Sequence, residues 1–272
     1  MNDQKTFVAL IFLTLQDLFG HRTYRLSIAA VLLLPWLLLI PSSLFLIDIG
    51  KVFLDMLFTG LHGWMVAYIF FIAAPMLARD IELGIASIFL TLPMSRISYF
   101  GARLLGLMAG MFPLFMAYLI SSNLSILWAG HVWQGYVADS LWISGSSGLC
   151  LILPPYIALL SVLFLIASRA TGAAEIGVFL LGIWILCWSL PPVLDALQNP
   201  TVAAKTSPWL IDLLHFIHQL LPDLSSSDIS LRLAHQLPLS ASQVAGYCLQ
   251  HLAYAGLAWG SGAWLFSRRD LA

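Results

Sequence analysis

Six stretches of mostly apolar residues, each close to the twenty or so needed to cross a bilayer, recur along this chain. They run at about Leu26–Ile47, Leu57–Leu77, Tyr99–Ile120, Gly148–Ser168, Ile176–Val193 and Val244–Phe266, the fifth being the shortest. Charges fall almost entirely between them. Of 272 residues, 60% are hydrophobic and 9% charged, where a soluble domain carries about 25% charge. Lipid must therefore be the solvent for much of the surface. The pattern predicts an all-α membrane protein, one domain over residues 1–272 with six transmembrane helices. Pro35, Pro113, Pro154 and Pro155 fall inside spans. Neighbouring helices must satisfy the carbonyls they free, which favours a packed bundle over isolated anchors.

The net charge is −1, which gives no electrostatic case for nucleic acid. Cys150, Cys187 and Cys248 sit in apolar runs at no metal-ligand spacing, and read as small buried hydrophobes.

Two apolar stretches are too short to cross. Thr6–Phe19 lacks a small-x-small cleavage site after it, and Gly20, His21, Arg22 and then Arg25 follow. It reads as an interfacial helix lying along the membrane. Pro208–Leu221 has Ser207 as N-cap and Pro208 opening the helix, and Pro222 ends it. It reads as a short amphipathic helix between spans five and six. Its Asp212, His215 and His218 offer metal-ligand side chains, but two histidines three apart are common on surface helices, and no metal is expected.

Basic residues set orientation. With the N-terminus in the cytoplasm, Lys5, Arg22, Arg25, Arg79, Arg96, Arg103, Arg169, Arg268 and Arg269 lie inside, and only Lys51, Lys205 and Arg232 outside. Both termini are then cytoplasmic. Asp48, Asp55, Asp139, Asp195, Asp212, Asp223 and Asp228 fall outside, with Trp128, Trp133, Trp142 and Trp209 at headgroup level.

One charged island stands out on the inner side, between spans two and three. Arg79, Asp80 and Glu82 end span two, and Gly84 follows. Ile85 to Leu92 is apolar-rich, and Pro93-Met94-Ser95-Arg96 stops it. This predicts a short helix along the inner membrane face, a stiff handle joined at both ends to spanning helices. Arg103 is expected to snorkel to the headgroups.

The pattern Glu82, Gly84, Leu90, Leu92, Pro93, Ser95, Arg96, Tyr99, Gly101 and Arg103 resembles the signature turn of ABC-2 type permeases, the membrane subunits of a class of ABC exporters. Arg103 stands where that family often has lysine. The ending Phe266-Ser267-Arg268-Arg269-Asp270-Leu271 is similar to the family's aromatic, Arg-Arg-Asp ending. The resemblance implies that the first short helix is interfacial and that the turn after span two is a coupling helix. It implies a second contact with the ATPase after span four, at Arg169 to Glu175. Arg79, Asp80, Glu82, Gly84, Pro93, Ser95, Arg96, Arg169 and Glu175 are the expected coupling residues. Glu82 and Arg96 are the first choice for docking and for the posture of the handle.

The chain has no GxxxxGK[ST] loop, no HExxH and no GxSxG. It is therefore not expected to be an enzyme or to bind a cofactor. ATP and Mg would belong to a separate ATP-binding subunit. The other expected partners are a second permease copy and membrane lipids, in a bacterial inner membrane. Gradient-driven transport, or membrane assembly without an ATPase, is the alternative. It is disfavoured by the lack of deep acidic residues or a repeat between halves.

Polar residues inside spans are His62, Gln250 and His251. They read either as interhelical hydrogen bonds or as lining of a substrate path. Gly106-x-x-x-Gly110 and Gly256-x-x-x-Gly260 would allow close helix approach, within the subunit or at a dimer seam.

Overall fold

Apolar runs of this length satisfy their backbone only as helices, and the computed structural model is all-helical. It describes residues 3–45, 48–91, 94–135, 137, 141–199, 206–222, 224 and 240–269. Leu92, Pro93, Asp139, Lys205, Asp223, Asp228, Arg232, Asp270 and Leu271 lie outside the described residues.

The helices are α1 (Asp3–Gly20), α2 (Arg22–Ser42), α3 (Ile49–Tyr68), a π-helical turn (Ile69–Ala73), α4 (Ala74–Glu82) and α5 (Ile85–Phe89). After these come α6 (Arg96–Val132), α7 (Leu141–Leu151), α8 (Leu153–Ala167), α9 (Ala173–Leu197), α10 (Pro208–Leu220) and α11 (Ala241–Ser267). Among the described residues, five helical stretches are long and apolar enough to cross a membrane: Arg22–Ser42, Ile49–Glu82, Arg96–Val132, Leu141–Ala167 and Ala173–Leu197. The sixth expected span lies in α11, which has 27 residues. Its length suffices, but Gln250, His251 and its glycines dilute its apolar character.

The boundaries correct several expectations. The first span begins at Arg22 and stops at Ser42. The fifth is not short, at 25 residues. The fourth is two helices, since Ile152, just before Pro154 and Pro155, separates α7 from α8. Helix α6 has 37 residues, about 55 Å of helix. That exceeds a hydrocarbon core of about 30 Å. Cys187 is buried as expected, whereas Cys150 is exposed on the outside of the bundle.

Helix α1 has nearly the expected bounds but a different setting. Its Phe7, Thr14 and Leu18 meet Gly101, Gly106 and Gly110 in that order. It therefore runs lengthwise beside the start of α6, in the same direction. Leu10, Thr14 and Leu18 are buried there, while Val8, Phe12 and Leu13 face outward.

Pairings fix the remaining directions. Tyr118 donates to Leu57 O, Tyr68 to Leu107 O, and Tyr99 to Asp80. Helices α3–α4 are thus antiparallel to α6. Gly145 meets Ile126 and Phe100 packs on Phe164, so α7–α8 also run antiparallel to α6. Glu82 meets Ala173, Phe70 meets Trp184 and His62 meets Trp188, so α9 returns alongside α3–α4. Helix α11 follows α8, with Gly262 on Leu165 and Arg269 on Ala167. A Cβ on Gly262 would lie 3.1 Å from Leu165 Cα, so a side chain there would press on the α8 backbone. The start of α1, the turn 83–95, the α8–α9 turn and the end of α11 consequently share one end of the bundle.

Candidate functional site

That shared end gathers most of the island. Leu83 N–H bonds Arg79 O and Gly84 N–H bonds Ile81 O, closing α4. Gly84 sits at φ +62°, the left-handed region, where glycine carries no Cβ penalty. Helix α5 follows but spans only Ile85–Phe89, shorter than the expected segment to Leu92. Ala86 is buried under it, and Phe89 packs 6.0 Å from the Tyr99 ring. Ser95 caps α6 by accepting from Ser98 N–H at 3.0 Å. Pro93 lies outside the described residues.

Two of the charged side chains, Asp80 and Arg103, are turned inward, while Arg79, Glu82 and Arg169 stay exposed. Asp80 and Arg103 form an ion pair with side-chain exposures of only 5% and 4%. Tyr99 Oη donates to Asp80 Oδ2 at 3.3 Å, and Arg103 Nη1 donates to Thr14 Oγ1 at 2.9 Å. Thr14 in turn donates to Leu10 O at 2.8 Å. The network fastens α1, α4 and α6 together. Arg103 therefore does not snorkel: Asp80, one turn from the end of α4, offers a closer countercharge than the headgroups. Asp80 Oδ1 and Arg103 Nε have no hydrogen-bond partner among the described residues. Breaking such a pair from one side leaves a buried charge uncompensated.

Glu82 Oε1 accepts from Ala173 N–H at 2.7 Å, so it caps the first turn of α9 from another segment of the chain. Gly172 makes room for it, since a Cβ there would sit 3.0 Å from that oxygen. Glu175 closes the same turn, accepting from Thr171 N–H at 2.7 Å and Thr171 Oγ1 at 3.0 Å. Arg96 Nη1 donates to the carbonyls of Ser267 and Arg269 at the end of α11. Arg269 Nη1 donates to Ala167 O at 3.3 Å at the end of α8. Both arginines meet the negative end of a helix. Arg79 pairs with Asp17 at 3.9 Å, half exposed, and Arg169 is exposed. The exposed part of the turn carries two large apolar side chains, Leu83 66% and Ile88 64% exposed, beside the exposed Glu82, Ser87 and Thr91.

The residues considered for a substrate path do not line one opening. His62 is buried, with Nδ1 2.9 Å from Tyr156 Oη and its ring edge-on to Trp188. His251 is buried with Nδ1 2.8 Å from Tyr247 O, one turn back in its own helix. Gln250 is exposed on α11. A cavity of about 500 Å³ does exist elsewhere, between α1, α6, α8 and α11, lined by Phe7, Gly101, Met108, Ser161, Gly256 and Trp259 among others. Sequence reasoning missed it because its walls are ordinary apolar residues from four helices. On α10, Asp212 and His215 are exposed.

No protein-family model matches this chain, and no curated protein matches it in sequence.

Proposed function

We propose that this membrane-embedded chain is the permease subunit of an ATP-driven exporter of the ABC-2 type, worked by a separate ATP-binding subunit. One observation carries the reading: side chains at the two ends of the turn between two long helices, Glu82 and Arg96, fasten it to the start of α9 and to the end of α11, and Arg269 there reaches on to the end of α8. Asp80 and Arg103 tie its base to α1. A push on that turn would reach almost every helix ending at that face. The face would be cytoplasmic, in keeping with the positive-inside bias and with both termini inside a bacterial inner membrane. Helix α11 would be the sixth span.

The docking surface would centre on the exposed apolar side chains Leu83 and Ile88, with Glu82 and Arg96 setting the posture of the turn through their bonds to α9 and α11. Two copies would frame the path. The first and fifth spans are little buried, at 22% of their apolar windows against 50–67% in the second, third and fourth. Their outward faces are the ones a second copy would cover. ATP and Mg would be held by the partner.

The test is purification of the chain from its own membrane with and without Leu83→Asp and Ile88→Asp. A P-loop ATPase should accompany the unaltered chain and be lost from the double variant. Transport that proceeds with no nucleotide hydrolysis would sink the reading. The buried Asp80–Arg103 pair is the observation that favours a gradient-driven carrier instead. That carrier would transport without any ATPase and would lose transport on Asp80→Asn.

A further inference from the structure

Three departures from regular α-helix meet at one level of the bundle. The first is the break between α1 and α2 at His21. The second is the π-helical turn Ile69–Ala73, followed by Pro75 at the start of α4. The third is Pro113 inside α6. A cavity of about 130 Å³, lined by His21, Phe71, Ile72, Pro75, Met76 and Arg79, lies between the first two and shows that they face each other. Gly110, three residues before Pro113, ties the third to them. Leu18 of α1 lies against its Cα, and Tyr68 Oη would lie 3.1 Å from a Cβ placed on it.

Proline removes one hydrogen bond from a helix interior, and a π-turn loosens the ladder by one residue. Kinks concentrate at such points. Here two buried tyrosines hold the weakened backbone from outside. Tyr24 Oη of α2 donates to Gly110 O at 2.5 Å, and Tyr68 Oη of α3 donates to Leu107 O at 2.6 Å. Both side chains are essentially fully buried. On one side of this level, the Asp80–Arg103–Thr14 network locks α1, α4 and the start of α6 into one block. On the other side, α2, α3 and the rest of α6 pack together, with Ser121 donating to Leu32 O and Tyr118 to Leu57 O.

We infer that the level of Gly110 is a hinge, at which the block of α1, α4, α5 and Arg96–Gly106 rocks against the block of α2, α3 and Phe112–Val132, with Tyr24 and Tyr68 as its clasps. The hinge is a property of this chain and does not depend on what drives it.

The test uses the full chain in lipid nanodiscs, with its three cysteines replaced and spin labels attached in pairs. Ser87 with Leu124 spans the hinge. Phe12 with Ser87 lies within one block, and Leu33 with Asp55 within the other. The spanning pair should show the broadest distance distribution. Tyr24→Phe with Tyr68→Phe should widen it about two-fold, while Pro113→Ala narrows it. The within-block pairs should stay as they were, which also reports that the variants fold. A spanning distribution no broader than the other two overturns the hinge. So does equal broadening of all three pairs on removal of the hydroxyls, which would mean general loosening.

Discussion

The two glycine pairs make the same statement in sequence and meet opposite fates in the fold. Gly106 and Gly110 of α6 lie under α1. A Cβ on Gly106 would come within 2.6 Å of Thr14 Cβ. Gly256 and Gly260 of α11 have no described residue within 4 Å of a Cβ placed on either. The residue that brings α11 against α8 is instead Gly262, which belongs to no such pair. Spacing advertises that backbones can approach. Which backbone arrives depends on where the chain elsewhere places a partner.

Gly106 packs on Thr14, which also accepts from Arg103 of the buried ion pair, so the largest way to break the contrast is through that pair. Arg103→Leu strands the Asp80 carboxylate and should cost about 3–5 kcal/mol, seen as a large fall in the unfolding midpoint in detergent. Asp80→Leu with Arg103→Leu together should recover most of that loss. A double variant as unstable as the single ones would mean that packing, and not the charges, holds α1. Next comes Gly106→Leu, which must displace Thr14 and should lower stability by about 1–3 kcal/mol. Gly256→Leu should leave the isolated chain within about 0.5 kcal/mol of unaltered. Equal losses in the two would erase the distinction between a covered and an open glycine face.

Smaller effects sharpen the comparison at the two ends of the bundle. His62→Phe removes the partner of the Tyr156 hydroxyl at the end away from the island, for about 1–2 kcal/mol. Glu82→Gln keeps the shape but drops the charge at the start of α9, and should cost about 0.3–1 kcal/mol. Hydrogen exchange at Ala173 and Ala174 should rise in that variant and stay unchanged in His62→Phe.

Much of the candidate site was legible in advance. Arg79, Asp80, Glu82, Gly84, Ser95 and Arg96 were marked by their isolation in an apolar chain, and Gly84 and Ser95 fill the structural roles their types favour. The direction in which the charges point was not legible. Glu82 looks like a docking residue until Ala173, 91 positions away, takes its carboxylate. Arg96 looks outward until the end of α11, 171 positions away, accepts its guanidinium. The hinge was half visible, through Pro113, while the π-turn had no signal in composition.

The sequence by itself determined that the chain is helical and membrane-embedded, roughly where five spans lie, and where its charge is concentrated. These follow from local periodicity and from the cost of placing polar groups in lipid, which each segment carries alone. Only the tertiary structure decided that α1 runs beside α6, that Asp80 faces Arg103, and which glycines are covered. Those outcomes rest on contacts between residues far apart in the chain, and no short stretch of sequence records the position of its eventual neighbour.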